Sequence, residues 1–143
     1  MEQSMRVLIE LPWPTKNCLP NTGAHPVART RARKALRQRA GAMAVLQSEL
    51  PSGLVRCTLV FNPPDKRGRD LDNLVAGMKG ALDGLFDAND RDDGDIRYLA
   101  GCWGRGTAKG GRVTAVVMPW CRDRDLAWLL GESTALRIQG AQG

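Results

Sequence analysis

Arg69-Asp70-Leu71-Asp72-Asn73-Leu74 opens a run that continues through Val75-Ala76-Gly77-Met78-Lys79-Gly80-Ala81-Leu82-Asp83-Gly84-Leu85. Leu74, Met78, Ala81, Leu82 and Leu85 recur at three- and four-residue spacing, the signature of one apolar helix face. A helix from Leu74 to about Leu85 is therefore predicted, with an irregular segment from Gly84 through Asp90. Asp70 and Asp72 are two apart. Such side chains share a face in extended chain but diverge by about 200° on a helix. Both reach one site if Asp70 precedes the helix and Asp72 stands at or near its N-cap, where free amides and the positive dipole end favour a carboxylate.

Working outward, Arg6 to Leu11 reads as a strand rich in branched apolar residues, ended by Pro12-Trp13-Pro14 because proline cannot donate to a ladder. Thr15 to Pro26 is a loop, and Val27 to about Gln47 a helix of alanine, leucine, arginine and glutamine, with Ala32, Leu36, Met43, Leu46 and their neighbours as its core stripe. Leu54 to Phe61 is a second strand, and Asn62-Pro63-Pro64-Asp65-Lys66-Arg67-Gly68 a basic loop. Ile96 to Ala100 and Val113 to Met118 are two further strands, with a hairpin-like connection predicted from Gly104 to Gly111. The order β-α-β-α-β-β implies an α+β fold with two main helices packed on one face of a sheet. Residues 1–120 form one domain in this reading. Residues 121–143 are a tail with a short helix at Leu126–Leu130 and a fraying end at Gly140–Gly143.

The chain has 143 residues, a net charge of +6 and 43% hydrophobic residues, enough for one domain with a hydrophobic core. No run of about 18 apolar residues marks a membrane span, and Met1 to Met5 lacks the pattern of a secretory signal, so a cytoplasmic location is expected. Cys18, Cys57, Cys102 and Cys121 lack the close spacing of a zinc site and are read as reduced. Arg29, Arg31, Arg33, Lys34, Arg37 and Arg39 fall within eleven residues that contain no acid. A solvated helix face mixes both signs, and this one does not, which favours a phosphate-tracking surface over a merely solvated one.

Every acid from Asp65 to Asp95 is aspartate. One aspartate before an apolar run is an ordinary helix start, but two adjacent carboxylates repel, and a divalent ion removes that repulsion. Hard oxygen ligands select Mg²⁺ or Mn²⁺. Asp92, Asp93 or Asp95 can supply a further ligand from the loop before Ile96, or can simply solvate that turn. An EF-hand is excluded, because aligning Gly94 with the loop glycine puts Arg91 at a ligand position and Ala100 where the bidentate glutamate belongs. Lys79 lies nearly two helical turns after Asp72, and either stabilises charge on a phosphate in transition or relieves acid crowding. His25, the only histidine, is assigned to loop packing rather than to zinc.

Arg69-Asp70-Leu71-Asp72-Asn73-Leu74, followed by Ala81-Leu82-Asp83-Gly84-Leu85 and Asp92-Asp93, resembles the RusA family of Holliday-junction resolvases. Weaker agreement comes from Leu11-Pro12-Trp13-Pro14, Pro20-Asn21 with His25 and the basic helix, and Lys109-Gly110-Gly111-Arg112. The likeness runs from Leu8 to about Met118. It implies a small homodimeric α+β nuclease with a mixed sheet that cuts four-way DNA junctions with Mg²⁺. It also implies metal-binding aspartates at Asp70, Asp72 and Asp93, with Asp92 as the neighbouring alternative. The family lysine one turn after the second aspartate is replaced here by Ala76, and Lys79 lies one turn later. Arg29, Arg31, Arg33, Lys34, Arg37, Lys66, Arg67, Arg69 and Lys109 are the expected DNA contacts.

Overall fold

The computed structural model describes residues 5–132. Four strands, β1 (Val7–Leu11), β2 (Val55–Asn62), β3 (Ile96–Trp103) and β4 (Arg112–Pro119), form one mixed sheet in the order β1-β4-β2-β3. β4 is antiparallel to both β1 and β2, and β3 lies parallel to β2. Four helices accompany the strands: α1 (Pro26–Ala44), α2 (Leu71–Gly77), α3 (Lys79–Asp87) and α4 (Arg122–Leu130). The α+β class and the helix-covered sheet read from the sequence are both present. The expected fraying of Gly140–Gly143 lies outside the described residues.

β2 shows why the sheet has one dry face. Val55, Cys57, Leu59 and Phe61 are fully buried, while the residues between them are partly exposed. This alternation is the period-two signature of a strand covered on one side. Ile9, Leu11, Val113, Ala115 and Val117 join the same core, together with Leu36, Leu74, Met78, Leu85 and Phe86 from the helices. Each such large side chain contributes about 2 kcal/mol by leaving water.

The predicted hairpin between the last two strands does not form. β2 lies between β3 and β4, so the chain from Gly104 to Gly111 crosses the end of β2 instead. Three hydrogen bonds hold that crossing: Gly104 N to Phe61 O, Ala108 N to Pro63 O, and Asn62 Nδ2 to Gly106 O. The apolar alternation of β2 suits a central position, and neighbours in sequence need not be neighbours in a sheet.

The helix predicted from Leu74 to Leu85 is divided at Met78, whose φ of −87° and ψ of 3° end α2 and begin α3. Its apolar face is as predicted, with Leu74, Met78, Ala81, Leu82 and Leu85 all buried. Asp70 rather than Asp72 is the N-cap residue, and helix persists through Asp87 where an irregular segment was expected. The bend lets α2 lie on β3 while α3 packs along α1. An added Cβ at Gly101 of β3 would stand 2.5 Å from Val75 Cγ2, and one at Gly84 of α3 only 2.1 Å from Arg37 O. These glycines let backbones approach where a larger residue would separate them.

That close α1–α3 contact also corrects the core stripe of α1. Leu36, Ala40 and Ala44 are buried, whereas Leu46 lies beyond the helix and is 89% exposed. Gly80 and Gly84 of α3 come against the α1 backbone at Arg33, Arg37 and Gly41. His25 takes a defined role as the N-cap of α1, its Nδ1 accepting from Val27 N at 3.2 Å ahead of Pro26. A proline at the first helical position is the sequence signal for that start.

α4 is longer than the predicted Leu126–Leu130 helix and is tied to the sheet. Arg56 alternates with buried Val55 and Cys57, so it projects from the opposite face of β2. There it donates to the buried Asp125 at 2.9 Å and lies over the Trp128 ring. Gly131, with a φ of 72°, closes the helix in the left-handed conformation.

Candidate nucleic-acid interface and carboxylate groups

The start of α2 carries the first acidic pair. Asp70 is extended, with φ −91° and ψ 124°, and Asp72 follows in the first helical turn. Both are exposed. Among the described residues neither carboxylate has a hydrogen-bonded or charged partner. Asn73 beside them has a buried Oδ1 with no hydrogen-bond donor. Oxygens with unused acceptor capacity therefore follow one another at this helix start.

Of the other aspartates from Asp65 to Asp95, five are neutralised by a base, whereas Asp90 and Asp92 have no basic partner among the described residues. Asp65 pairs with Arg67 and Arg69, Asp87 with Arg37, and Asp95 with Arg91. Asp83 receives Lys79 at 2.8 Å and lies 3.9 Å from Arg33. Asp93 receives Lys79 as well. Hydrogen bonds from Lys79 hold the Asp93 carboxyl below its ordinary pKa, and Asp83 and then Asp93 raise that of Lys79. Asp92 is occupied locally, its Oδ1 accepting from Gly94 N at 2.9 Å as the cap of the Asp93–Asp95 turn.

The acids thus fall into two groups. Lys79 begins α3, beyond the bend at Met78 and past the C-terminal end of the helix that Asp70 and Asp72 start. Asp93, bound to Lys79, belongs to that far end, while Leu71 at the near end packs against Gly101, well along β3. Among the described residues no three His, Cys, Asp or Glu side chains converge on a single ion position. Lys79 and Asp93 are brought together, as are Asp83 and Arg33, but Asp70 and Asp72 are not part of their cluster. Asp70 and Asp72 fit Mg²⁺ by donor chemistry, because that ion is commonly held by one or two carboxylates with water and phosphate completing its shell.

Arg91 escaped notice in the sequence except as an obstacle to an EF-hand. It positions the loop that carries Asp92 and Asp93. Its guanidinium donates to Pro51 O, Gly53 O and Asp95 and lies over the Phe86 ring. Nothing in its local sequence signals this, since Pro51 and Gly53 are some forty residues away.

The bases separate into engaged and free sets. Arg37 makes two bonds to Asp87, at 2.6 and 2.8 Å, and Arg69 is held by Asp65 and lies over Trp13. Arg29, Arg31, Lys34, Lys66 and Lys109 are exposed and have no carboxylate partner among the described residues. Arg29, Arg33 and Arg37 follow one another at four-residue spacing along the α3 side of α1. Arg31 and Arg39 border a separate cleft with Thr15 and Asn17. The four cysteines are free, and burial pushes the Cys57 thiol up to about 12. Among the described residues no helix is long and apolar enough to cross a membrane.

No protein-family model matches the chain. It is similar to a protein of Xylella fastidiosa (strain Temecula1 / ATCC 700964) that carries the name "Uncharacterized protein", with 36% identity over 90 residues. That match spans 59% of this chain and 59% of the relative.

Proposed function

We propose that the protein is a Mg²⁺-dependent, structure-selective endodeoxyribonuclease that cuts four-way DNA junctions as a homodimer in the cytoplasm. The observation that carries this reading is the unneutralised Asp70–Asp72 pair. In a chain of net charge +6, nearby Asp65, Asp83, Asp87, Asp93 and Asp95 each have a basic partner and Asp92 accepts from the Gly94 amide. Asp70 and Asp72, like the isolated Asp90, have no side-chain partner among the described residues, and the pair stands two apart at one helix start. The resemblance of Arg69–Leu74 to the RusA signature points the same way.

In this reading Asp70 and Asp72 hold the ion. When bound, Mg²⁺ (or Mn²⁺) supplies charge neutralisation on a phosphate and lowers the pKa of a coordinated water. Lys34, Arg29 and Arg31 on α1, with Lys66, Arg67 and Lys109 on the loops, bind phosphates and orient the duplex arms without reading bases. Lys79 keeps Asp93 in place and presents a cation beside α1. A C2 dimer suits a junction that must be cut twice, symmetrically.

A cleavage assay on synthetic four-way junction, fork and linear duplex tests the reading. Paired nicks in the junction with Mg²⁺, none with chelator and none from Asp72→Asn are expected. Junction cleavage by Asp72→Asn at the wild-type rate would sink the ligand assignment, and preferential cutting of the fork would shift the substrate. A second reading, a non-catalytic DNA-binding protein, is favoured by one observation: Lys79, Arg33 and Arg37 already neutralise Asp93, Asp83 and Asp87. It predicts salt-sensitive binding that is indifferent to Mg²⁺ and no cleavage of any substrate.

A further inference from the structure

The sheet ends in a basic cleft that the proposed function leaves unexplained. The loop after β2 and the chain from Gly104 to Gly111 are joined by the three hydrogen bonds that cross the end of β2. Between them lies a cleft of about 420 Å³, bordered by Lys66, Arg67 and Arg69 on one side and by Trp103, Gly104 and Gly106 on the other. That size is in the range of small-molecule sites. Trp103 is the last residue of the edge strand β3 and is 45% exposed. Phe61 packs edge-on against it, at 6.4 Å between ring centroids, and so orients an indole that solvent still reaches.

A single exposed tryptophan is unremarkable on a protein surface. This one borders a cleft with three cations and one acid, Asp65, and Lys66 has no carboxylate partner among the described residues. An aromatic face beside an unpaired ammonium and two arginines that share one carboxylate is the chemistry that receives a nucleobase together with its phosphate. Gly68 on the opposite side carries no side chain to fill the cleft, and a Cβ there would meet nothing within 4 Å. The Gly68–Arg69 wall leads directly into Asp70.

We propose that this cleft is a stacking subsite for an unpaired DNA base, with the Trp103 indole as its platform. The proposal rests on the nuclease reading and adds what that reading lacks: a contact that tells distorted or unpaired DNA from a continuous duplex. A base inside a duplex has no free face, so only a base displaced at a branch or bulge can occupy the site.

The test is equilibrium binding of the full chain in chelator, where nothing is cut. Fluorescence anisotropy compares a duplex with a one-base bulge, the same duplex with an abasic bulge, and a fully paired duplex. Wild-type protein should prefer the base-containing bulge over the abasic one by about tenfold or more. Trp103→Ala should abolish that preference, Trp103→Phe should keep most of it, and neither should change duplex affinity by more than about twofold. A wild-type protein indifferent to the missing base overturns the proposal without any variant, as does a Trp103→Ala protein that still discriminates. Equal binding of all three DNAs overturns the stacking subsite but leaves the nuclease reading standing. Binding of none overturns both.

Discussion

Lys79 joins two carboxylates from different parts of the chain: Asp83, one turn along its own helix, and Asp93, fourteen residues away in the loop before β3. The start of α3 is thereby fastened to the segment that leads into the edge strand. Asp93 is consequently engaged by an ammonium at the opposite end of α2 from Asp70 and Asp72.

Replacing that ammonium should release Asp93. In Lys79→Met the Asp93 carboxyl should titrate closer to its ordinary value, seen by carboxylate NMR. The linked stability has a definite sign. A depressed carboxylate pKa stabilises above the unfolded value of about 3.9 and is lost as pH falls through the folded one. Lys79, whose pKa is raised, loses its share only as pH rises above its ordinary alkaline value. Wild type and variant should therefore differ at pH 7 and converge only as pH falls below the depressed folded pKa of Asp93. With Lys79 about half exposed, the difference in denaturant unfolding should stay under about 1 kcal/mol. A gap that persists once the NMR titration shows Asp93 protonated in the folded wild type would assign the effect to packing.

Divalent-ion binding at the start of α2 has a readout that needs no DNA. Mg²⁺ at about ten times its Kd should stabilise the wild type by about 1.4 kcal/mol, a rise in Tm of roughly 3–6 °C. Asp70→Asn and Asp72→Asn should lose that rise. Asp93→Asn should keep it if the ion is held only at α2, and an equal loss in all three would draw Asp93 into the same site. Equal Mg²⁺ responses in wild type, Asp70→Asn and Asp72→Asn would remove the ion from this helix start.

The α1–α3 contact depends on the missing side chain of Gly84. A Cβ there would stand 2.1 Å from Arg37 O and 2.9 Å from Gly41 N, and backbone cannot swing aside as a side-chain tip can. Gly84→Ala should cost about 3 kcal/mol in denaturant unfolding. Gly41→Ala is the control, because its Cβ would meet Gly84 O at an ordinary 3.4 Å. Alanine is also the better helix former, by up to about 1 kcal/mol. Similar stabilities for the two variants would contradict the close approach.

α4 is held through Asp125, which is 1% exposed. Burial alone would raise its pKa, but the Cys121 amide at 2.7 Å and the Arg124 and Arg56 guanidinium groups outweigh it and leave the carboxyl below its ordinary value. Asp125→Ala strands Arg56 and should cost about 3 kcal/mol, with a change in tryptophan fluorescence as Trp128 loses its seat. Asp125→Asn keeps an acceptor for the Cys121 amide and should cost less. Because the depressed carboxylate stabilises only above its folded pKa, the wild-type advantage over both should shrink on acidification. Unchanged melting of Asp125→Ala would show that α4 is anchored otherwise.

Much of this architecture is written in local sequence. Period-two alternation in Val55–Phe61 and the spacing of Leu74, Met78, Ala81, Leu82 and Leu85 each specify an element and the face it buries, because side-chain direction follows directly from backbone period. The unmixed basic run of α1 and the Asp70-x-Asp72 pair are legible for the same reason. What residues far apart do to one another is not written there. The place of β2 between β3 and β4, the bend at Met78 that lets α3 close on α1, and the Arg91 clasp on Pro51 and Gly53 arise only when distant segments meet. So does the division of the acids: the sequence presents Asp70, Asp72, Asp92 and Asp93 as equivalent charges, and only tertiary packing sets Asp93 against Lys79 and leaves Asp70 and Asp72 without a cation among the described residues. Charge is a property of residues, but neutralisation is a property of pairs, and pairs are chosen by the fold.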